Sequence, residues 1–214
     1  IWKSENIIAN MDAILNEQSY DYNNISPHQY VNSDYFMADD IVYDIGAAEG
    51  LQSKLWVNRV KQIVIFEPEP ITFKCLNMTF SDEISNGKVI LVPEGISGSK
   101  FQTKIKNQEY NFDTLDSLVG RYSLPYPTYI KADIEGHEKS LIQNLDSLLQ
   151  HNTLKMVQIM TYHRPEDEIE IPKMLKKFQG QGYFSEGLIW FNEDFDKKLQ
   201  KLVGGSFDKI PFHT

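Results

Sequence analysis

The 214 residues suit one domain of ordinary size, or one domain with a small appendage, and suffice to bury roughly 70% of the unfolded surface without a disulfide or metal staple. A composition of 41% hydrophobic and 24% charged residues is globular and excludes a disordered or collagen-like chain. Thirty acidic against 21 basic residues leave a net charge of −9, which weighs against nucleic-acid phosphates as the main ligand and leaves a cationic ligand open.

Residues 3–17 read as a helix, with Ile7, Ile8, Met11, Ile14 and Leu15 on one face and Ser4 as N-cap. Residues 18–40 read as a loop holding Tyr20, Tyr22, Tyr30, Tyr35 and Phe36; the length suits a lid, or a polar connection whose aromatics pack on the domain. Regular alternation then begins. Ile41 to Ile45 is a strand signal, residues 49–60 have helical spacing, Ile63 to Phe66 is a second strand, and residues 70–81 carry Phe73, Leu76 and Phe80 on a helix. Val89 to Val92 is a third strand, residues 96–113 short strands and turns, and 114–120 a short helix. Thr128 to Ala132 is a fourth strand, Leu141 to Leu149 a helix, Lys155 to Thr161 a fifth strand, and Ile171 to Phe178 a helix. Tyr183–Ser185 and Leu188–Phe191 flank Glu186-Gly187 as a hairpin, and Phe195, Leu199 and Leu202 mark a last helix.

The chain therefore divides into an N-terminal helix and loop (1–40), a main domain (41–193) and a C-terminal extension (194–214). Strand–helix alternation with nearly continuous apolar strands predicts an α/β fold: a mostly parallel sheet covered by helices on both faces, closed by the antiparallel hairpin. Such sheets bind ligands at the carboxyl ends of their strands, beside the point where strand order reverses. The candidate residues are those just after each strand.

The first turn reads Asp44-Ile45-Gly46-Ala47-Ala48-Glu49-Gly50. Small residues let backbone approach a ligand, and the following helix start offers unpaired N–H groups. Asp44 anchors the loop or attracts an amino group. Glu67, at the end of the second strand and followed by Pro68, can accept both hydrogens of a ribose diol. The dinucleotide pattern G-x-G-x-x-G fails at Ala48 and Leu51, which disfavours a pyrophosphate and favours S-adenosylmethionine. An NAD(P)-dependent oxidoreductase is the alternative, and a non-catalytic binding module of the same fold a second one. After the third strand, Pro93-Glu94-Gly95 can meet the adenine edge, Glu94 reading equally well as a turn acid.

The fourth strand ends Ile130-Lys131-Ala132-Asp133-Ile134-Glu135-Gly136-His137-Glu138, and the fifth ends Thr161-Tyr162-His163. Asp133 and His163 should lie side by side at strand tips. Glu138 reads as an acid complementing a helix N-terminus. At this point the sequence resembles the FkbM-type methyltransferases. The matching stretches are Tyr43 to Gly50, Phe66-Glu67-Pro68, Thr114-Leu115-Asp116-Ser117-Leu118 and Ile130 to Glu138, with Tyr162-His163 a weaker match, over roughly residues 40–185. Ala132 stands where many relatives carry Ile or Val. The resemblance implies a Rossmann-like class I methyltransferase fold with a seven-stranded sheet, S-adenosylmethionine as cofactor and O-methyl transfer. It further implies Gly46, Ala47, Ala48, Glu49 and Gly50 at the methionine tail and Glu67 at the ribose.

Methyl transfer to a hydroxyl of a small molecule or saccharide needs in-line alignment and a base. His163 or Asp133 is the expected base, with Glu135 orienting the hydroxyl or the imidazole. No metal is expected; Asp133, Glu135 and His163 are the set that would hold one. The single Cys75 excludes an internal disulfide, reads as core, and fits a reducing, cytoplasmic setting. No apolar run reaches membrane-spanning length, no signal peptide is visible, and the start at Ile1 suggests a fragment of a longer protein.

Overall fold

The structure, a computed structural model, describes residues 30, 36–176, 181–185 and 187–191. The helix expected at 3–17, most of the loop at 18–40, Glu186 and the extension at 194–214 lie outside these residues. The chain runs β1 (Ile41–Ile45), α1 (Leu51–Trp56), β2 (Gln62–Phe66), α2 (Pro70–Thr79), α3 (Ser81–Ser85), β3 (Val89–Val92), β4 (Gly95–Ile96), β5 (Phe101–Ile105) and β6 (Gln108–Asp113). It continues α4 (Leu115–Tyr122), β7 (Tyr129–Ala132), α5 (Glu138–Gln143), α6 (Leu145–Leu149), β8 (Met156–Met160), α7 (Asp167–Leu175), β9 (Gln181–Ser185) and β10 (Gly187–Phe191).

Five strands, β3-β2-β1-β7-β8, pair in parallel, and β10 then β9 extend the sheet antiparallel beyond β8. Strand order reverses between β1 and β7, so the crevice at their carboxyl ends is the expected ligand position. Besides this sheet the described residues form a second one: β4, β6 and β5 make a separate three-stranded sheet after β3. Its hairpin turns at Lys106-Asn107, both at positive φ (47° and 66°), the backbone hand that a two-residue loop requires.

Period-2 alternation sorts the parallel strands into two cores. Tyr43, Ile45, Val64, Phe66, Ile130, Ala132, Val157 and Ile159 pack with Leu115, Leu118, Leu141, Leu145, Leu148, Ile171 and Leu175 from α4 to α7. Val42, Ile63, Ile65, Tyr129 and Met156 pack with Trp56, Leu76 and Phe80 on the other face. Each fully buried large apolar side chain contributes roughly 1.5–3 kcal/mol, so the two cores fix the sheet that carries the strand tips.

Several expected helices are shorter or broken. The run predicted at 49–60 is helical only over α1. The run at 70–81 divides at Phe80 (φ −108°, ψ 21°), and the one after β7 divides at Asn144 (φ −100°, ψ 3°), both outside helical dihedrals. Glu69 caps α2 by accepting from the Thr72 N–H (2.7 Å), with Pro70 at the first helical position. Thr114 caps α4 by accepting from the Ser117 N–H (3.3 Å), and Asp116 accepts the Ser147 hydroxyl. Cys75 is half-buried rather than core. Among the described residues no helix is long and apolar enough to cross a membrane.

Candidate active site

The turn after β1 is held by its neighbours. Gly46 has φ +76°, and a Cβ there would stand 1.9 Å from the Asp133 carbonyl oxygen. Only glycine lets the β1 turn touch the loop after β7. The Gly46 N–H donates to the Phe66 carbonyl and the Asp133 N–H to the Ile45 carbonyl, each at 3.1 Å, so the tips of β1, β2 and β7 are tied together. Gly50 is also left-handed, and a Cβ there would meet Leu76 at 2.6 Å. Ala48 has φ 47° as well, which leaves Ala48 and Glu49 exposed at the crest of the turn while Ala47 is buried.

Beneath this turn Asp44 is fully buried. It accepts the Ser53 hydroxyl (2.6 Å) and stands 3.1 Å from the Lys131 ammonium. Lys131, also buried, donates to the Gly46 carbonyl at 2.6 Å, and its ammonium lies 5.0 Å from the Tyr30 ring centre. Of the two roles read for Asp44, the geometry supports loop anchor, acting through Lys131. Register explains the meeting: Asp44 pairs with Lys131 across β1 and β7.

Glu67 is 7% exposed at the end of β2, where its Oε1 accepts from the Glu69 N–H (2.8 Å) and its own N–H donates to Val92 (3.1 Å). Pro68 packs beside Gly95, 3.1 Å from the place of a Cβ there. Glu94 is engaged elsewhere than at a free edge. Its carboxylate accepts twice from Arg121 (2.9 and 3.1 Å) and once from the Tyr122 hydroxyl (2.7 Å), and Arg121 also binds Asp113. Glu94 lines a cleft of about 480 Å³ together with Pro93, Phe101, Phe112, Arg121 and Tyr122.

The other half of the site gathers around His163, whose side chain is 11% exposed. Its Nε2 lies 3.2 Å from Asp133 Oδ1 and 3.8 Å from Glu135, and its Nδ1 lies 2.9 Å from Glu138 Oε1. Asp133 Oδ2 accepts the hydroxyls of Tyr30 (2.7 Å) and Tyr162 (3.0 Å). Burial first, then the charge of Asp133, pushes both phenol pKa values well above their ordinary range, so these tyrosines stay protonated and donate. Glu135 sits at φ +55° with its side chain 91% exposed, positioned at the rim rather than behind the imidazole.

Glu138 opens α5, the helix-terminal place the sequence reading gives it, and it is fully buried there: its Oε1 accepts from the Ile134 N–H (2.8 Å), and burial raises its pKa. Asp133, Glu138 and His163 present atoms within 4.8 Å of one another, donor types that suit zinc or iron, in place of the expected trio with Glu135. Hydroxyl and amide hydrogens occupy Asp133 Oδ2 and Glu138 Oε1, while Glu138 Oε2 and His163 Nδ1 are buried without a hydrogen-bond partner. His137 turns away to stack on Phe112, ring centres 5.8 Å apart. Sequence reasoning missed Lys131, Tyr30, Tyr162 and Glu138. A lysine inside the otherwise apolar run Tyr129–Ala132 was a visible signal of a buried partner.

No family model matches the chain. It is 25% identical over 155 residues to hexuronic acid methyltransferase AglP of Haloferax volcanii, covering 65% of this chain and 62% of that protein. It superposes on methyltransferase FkbM from Methylobacillus flagellatus with a TM-score of 0.59 and 17% identity, over 73% of this chain and 44% of that one. SMU.1697c from Streptococcus mutans, solved in complex with SAH, gives a TM-score of 0.50 and 10% identity over 74% and 90% of the two chains. The chain thus spans less than two thirds of the length of the curated relative it matches. The comparisons agree with the motifs: in sequence this chain is similar to a hexuronic acid methyltransferase, and in its Rossmann-like α/β fold to methyltransferase FkbM.

Proposed function

We propose that the chain is an S-adenosylmethionine-dependent O-methyltransferase acting on a saccharide. One observation carries the reading: a glycine turn and a buried acid at the tips of β1 and β2 stand beside a carboxylate–imidazole cluster at the tips of β7 and β8, all opening on the crevice where strand order reverses. The turn Gly46, Ala47, Ala48, Glu49, Gly50 would hold the methionine tail, Glu67 and Pro68 the ribose, and the Pro93-Glu94-Gly95 segment the adenine end beside its cleft. The donor chemistry fits a cationic nucleoside: acids surround the crevice, and Lys131, the buried cation under it, is neutralised by Asp44. When bound, S-adenosylmethionine supplies a methyl group on a sulfonium leaving group.

The residues then have separate work. Asp133, fixed by two tyrosine hydroxyls and by the backbone bond to Ile45, presents Oδ1 to the imidazole. His163 would receive the acceptor hydroxyl's proton at Nε2; a positioned base of this kind contributes about 10²–10⁴-fold. Glu135 at the rim orients the acceptor. The saccharide class rests on the curated relative, named for hexuronic acid. A net charge of −9 weighs against a nucleic-acid acceptor.

The test is methyl transfer from radiolabelled S-adenosylmethionine to uronic-acid and neutral oligosaccharides, with the product treated with mild alkali. An alkali-stable ether that disappears in His163→Ala supports the reading. An alkali-labile ester formed equally well by His163→Ala means a carboxylate acceptor and no base, and no transfer to any saccharide removes the substrate class.

A further inference from the structure

We propose that Arg164 sets the specificity of the acceptor site: its guanidinium takes the carboxylate of an acidic saccharide, a hexuronic acid, while a hydroxyl of the same sugar faces His163. The inference rests on the function proposed above and narrows its substrate class. Arg164 follows His163 directly in the chain, just past the tip of β8. Its guanidinium lies against Gly136 in the loop after β7. A Cβ on Gly136 would stand 2.8 Å from Arg164 Nε, 3.3 Å from Nη2 and 3.4 Å from Cζ, and Gly136 has φ +92°. Glycine there serves twice, by taking a left-handed backbone and by leaving room for the guanidinium against it. Gly136 is buried and Arg164 is exposed. The cation is therefore seated on the loop that carries Asp133 and Glu135, next to the residue that carries the imidazole.

Its charge is also uncommitted. Lys131 is paired with Asp44, Arg121 with Glu94 and Asp113, and Lys139 with Glu166, Asp167 and Glu170. Among the described residues the Arg164 guanidinium makes no hydrogen bond and no ion pair. The carboxyl of Glu166 is held low first by a backbone hydrogen bond, with smaller help from Lys139 and Arg164, and Lys139 binds it at 3.4 Å. The mouth of the crevice is otherwise acidic: the side chains of Asp133 and Glu135 are 19% and 91% exposed. Both acids repel an anionic acceptor. A seated guanidinium reverses that repulsion locally and offers parallel N–H groups that match the two oxygens of a carboxylate. In a hexuronic acid the carboxylate and the hydroxyls share one six-membered ring, so holding the first orients the second. The gripped carboxylate is kept from the methyl group, and the product is an ether.

The test is equilibrium binding, read by NMR titration in the presence of S-adenosylhomocysteine. The probes are methyl glucuronoside and methyl galacturonoside against methyl glucoside and methyl galactoside, which differ only in carboxylate for hydroxymethyl. The wild type should bind at least one uronoside about tenfold or more tightly than its neutral counterpart, the worth of a charge-assisted hydrogen-bonding pair. Arg164→Gln should abolish that preference while holding the neutral glycosides and S-adenosylhomocysteine within about threefold. Arg164→Lys, which keeps the charge and loses the planar fork, should retain part of it. A wild type that does not prefer the uronosides overturns the inference, as does an undiminished preference in Arg164→Gln. Equal loss of charged and neutral probes also overturns it, by reducing Arg164 to a packing role. Binding is read without turnover, so the two readings fail separately. Arg164-dependent uronoside binding without methyl transfer removes the methyltransferase and keeps this inference; ether formation with no charge preference does the opposite.

Discussion

Gly46 and Gly87 share the same φ of +76°, yet their surroundings differ completely. At Gly87 nothing lies within 4 Å of an added methyl group, so Gly87→Ala should lose only the left-handed strain, about 1–2 kcal/mol. At Gly46 the same methyl would stand 1.9 Å from the Asp133 carbonyl oxygen and 2.9 Å from its carbon, backbone atoms that no rotamer change can move. Overpacking of that kind adds about 1–3 kcal/mol, giving roughly 2–5 kcal/mol for Gly46→Ala. The assay is urea unfolding followed by tryptophan fluorescence, with the two variants compared at constant m-value. The clash also forces the β1 turn away from the β7 loop, so Gly46→Ala should weaken S-adenosylhomocysteine binding while Gly87→Ala leaves it unchanged. Equal stability losses in the two variants would refute the claim that close contact with Asp133 is what demands glycine at position 46.

The buried Asp44–Lys131 pair yields a second prediction. Asp44→Asn and Lys131→Met each strand a buried charge and should cost about 3–5 kcal/mol, whereas the double variant should cost less than the two losses combined; strict additivity in a double-mutant cycle would argue against coupling. Glu138 gives a pH dependence. Its folded pKa is raised by burial, so its contribution to stability is full below the ordinary glutamate range and is lost as pH rises through the folded value. Thermal midpoints stepped through that window should fall less in Glu138→Gln than in the wild type, and parallel profiles would contradict the assignment. Tyr162→Phe removes one of two hydroxyls on Asp133 Oδ2; measured kcat should fall about tenfold with cofactor affinity kept, and an unchanged rate would show that Tyr30 alone suffices to fix the acid.

The parallel strands were legible because both their faces are buried: Ile41 to Ile45 and Val89 to Val92 read as apolar runs in any context. Residues 96–113 read as short strands and turns, but the bounds of β5 were not legible, since Phe101 to Ile105 is mostly exposed and has no core-facing alternation to detect. Its pairing with β6 follows from the two-residue turn instead. The site divides in the same way. Gly46, Glu67, Asp133 and His163 follow from position alone, at the carboxyl ends of predicted strands. The Asp44–Lys131 pair depends on which strand lies beside β1, a long-range fact that local pattern does not contain. Glu138 was legible as a helix-terminal acid but its burial was not, because such an acid faces water or core according to how α5 packs on α7 and the sheet. Only that packing turns it toward His163.

The central claim is that a sulfonium nucleoside lies across the tips of β1 and β2, held at its ribose by Glu67. Isothermal titration of S-adenosylhomocysteine into the wild-type chain and Glu67→Ala, with NADH as the competing ligand, tests it most directly. The account predicts saturable binding of S-adenosylhomocysteine, no NADH binding, and an affinity about 10–100-fold weaker in Glu67→Ala, the worth of a charge-assisted hydrogen-bonding group. Binding of NADH in its place, or equal S-adenosylhomocysteine affinity in the two proteins, would contradict it.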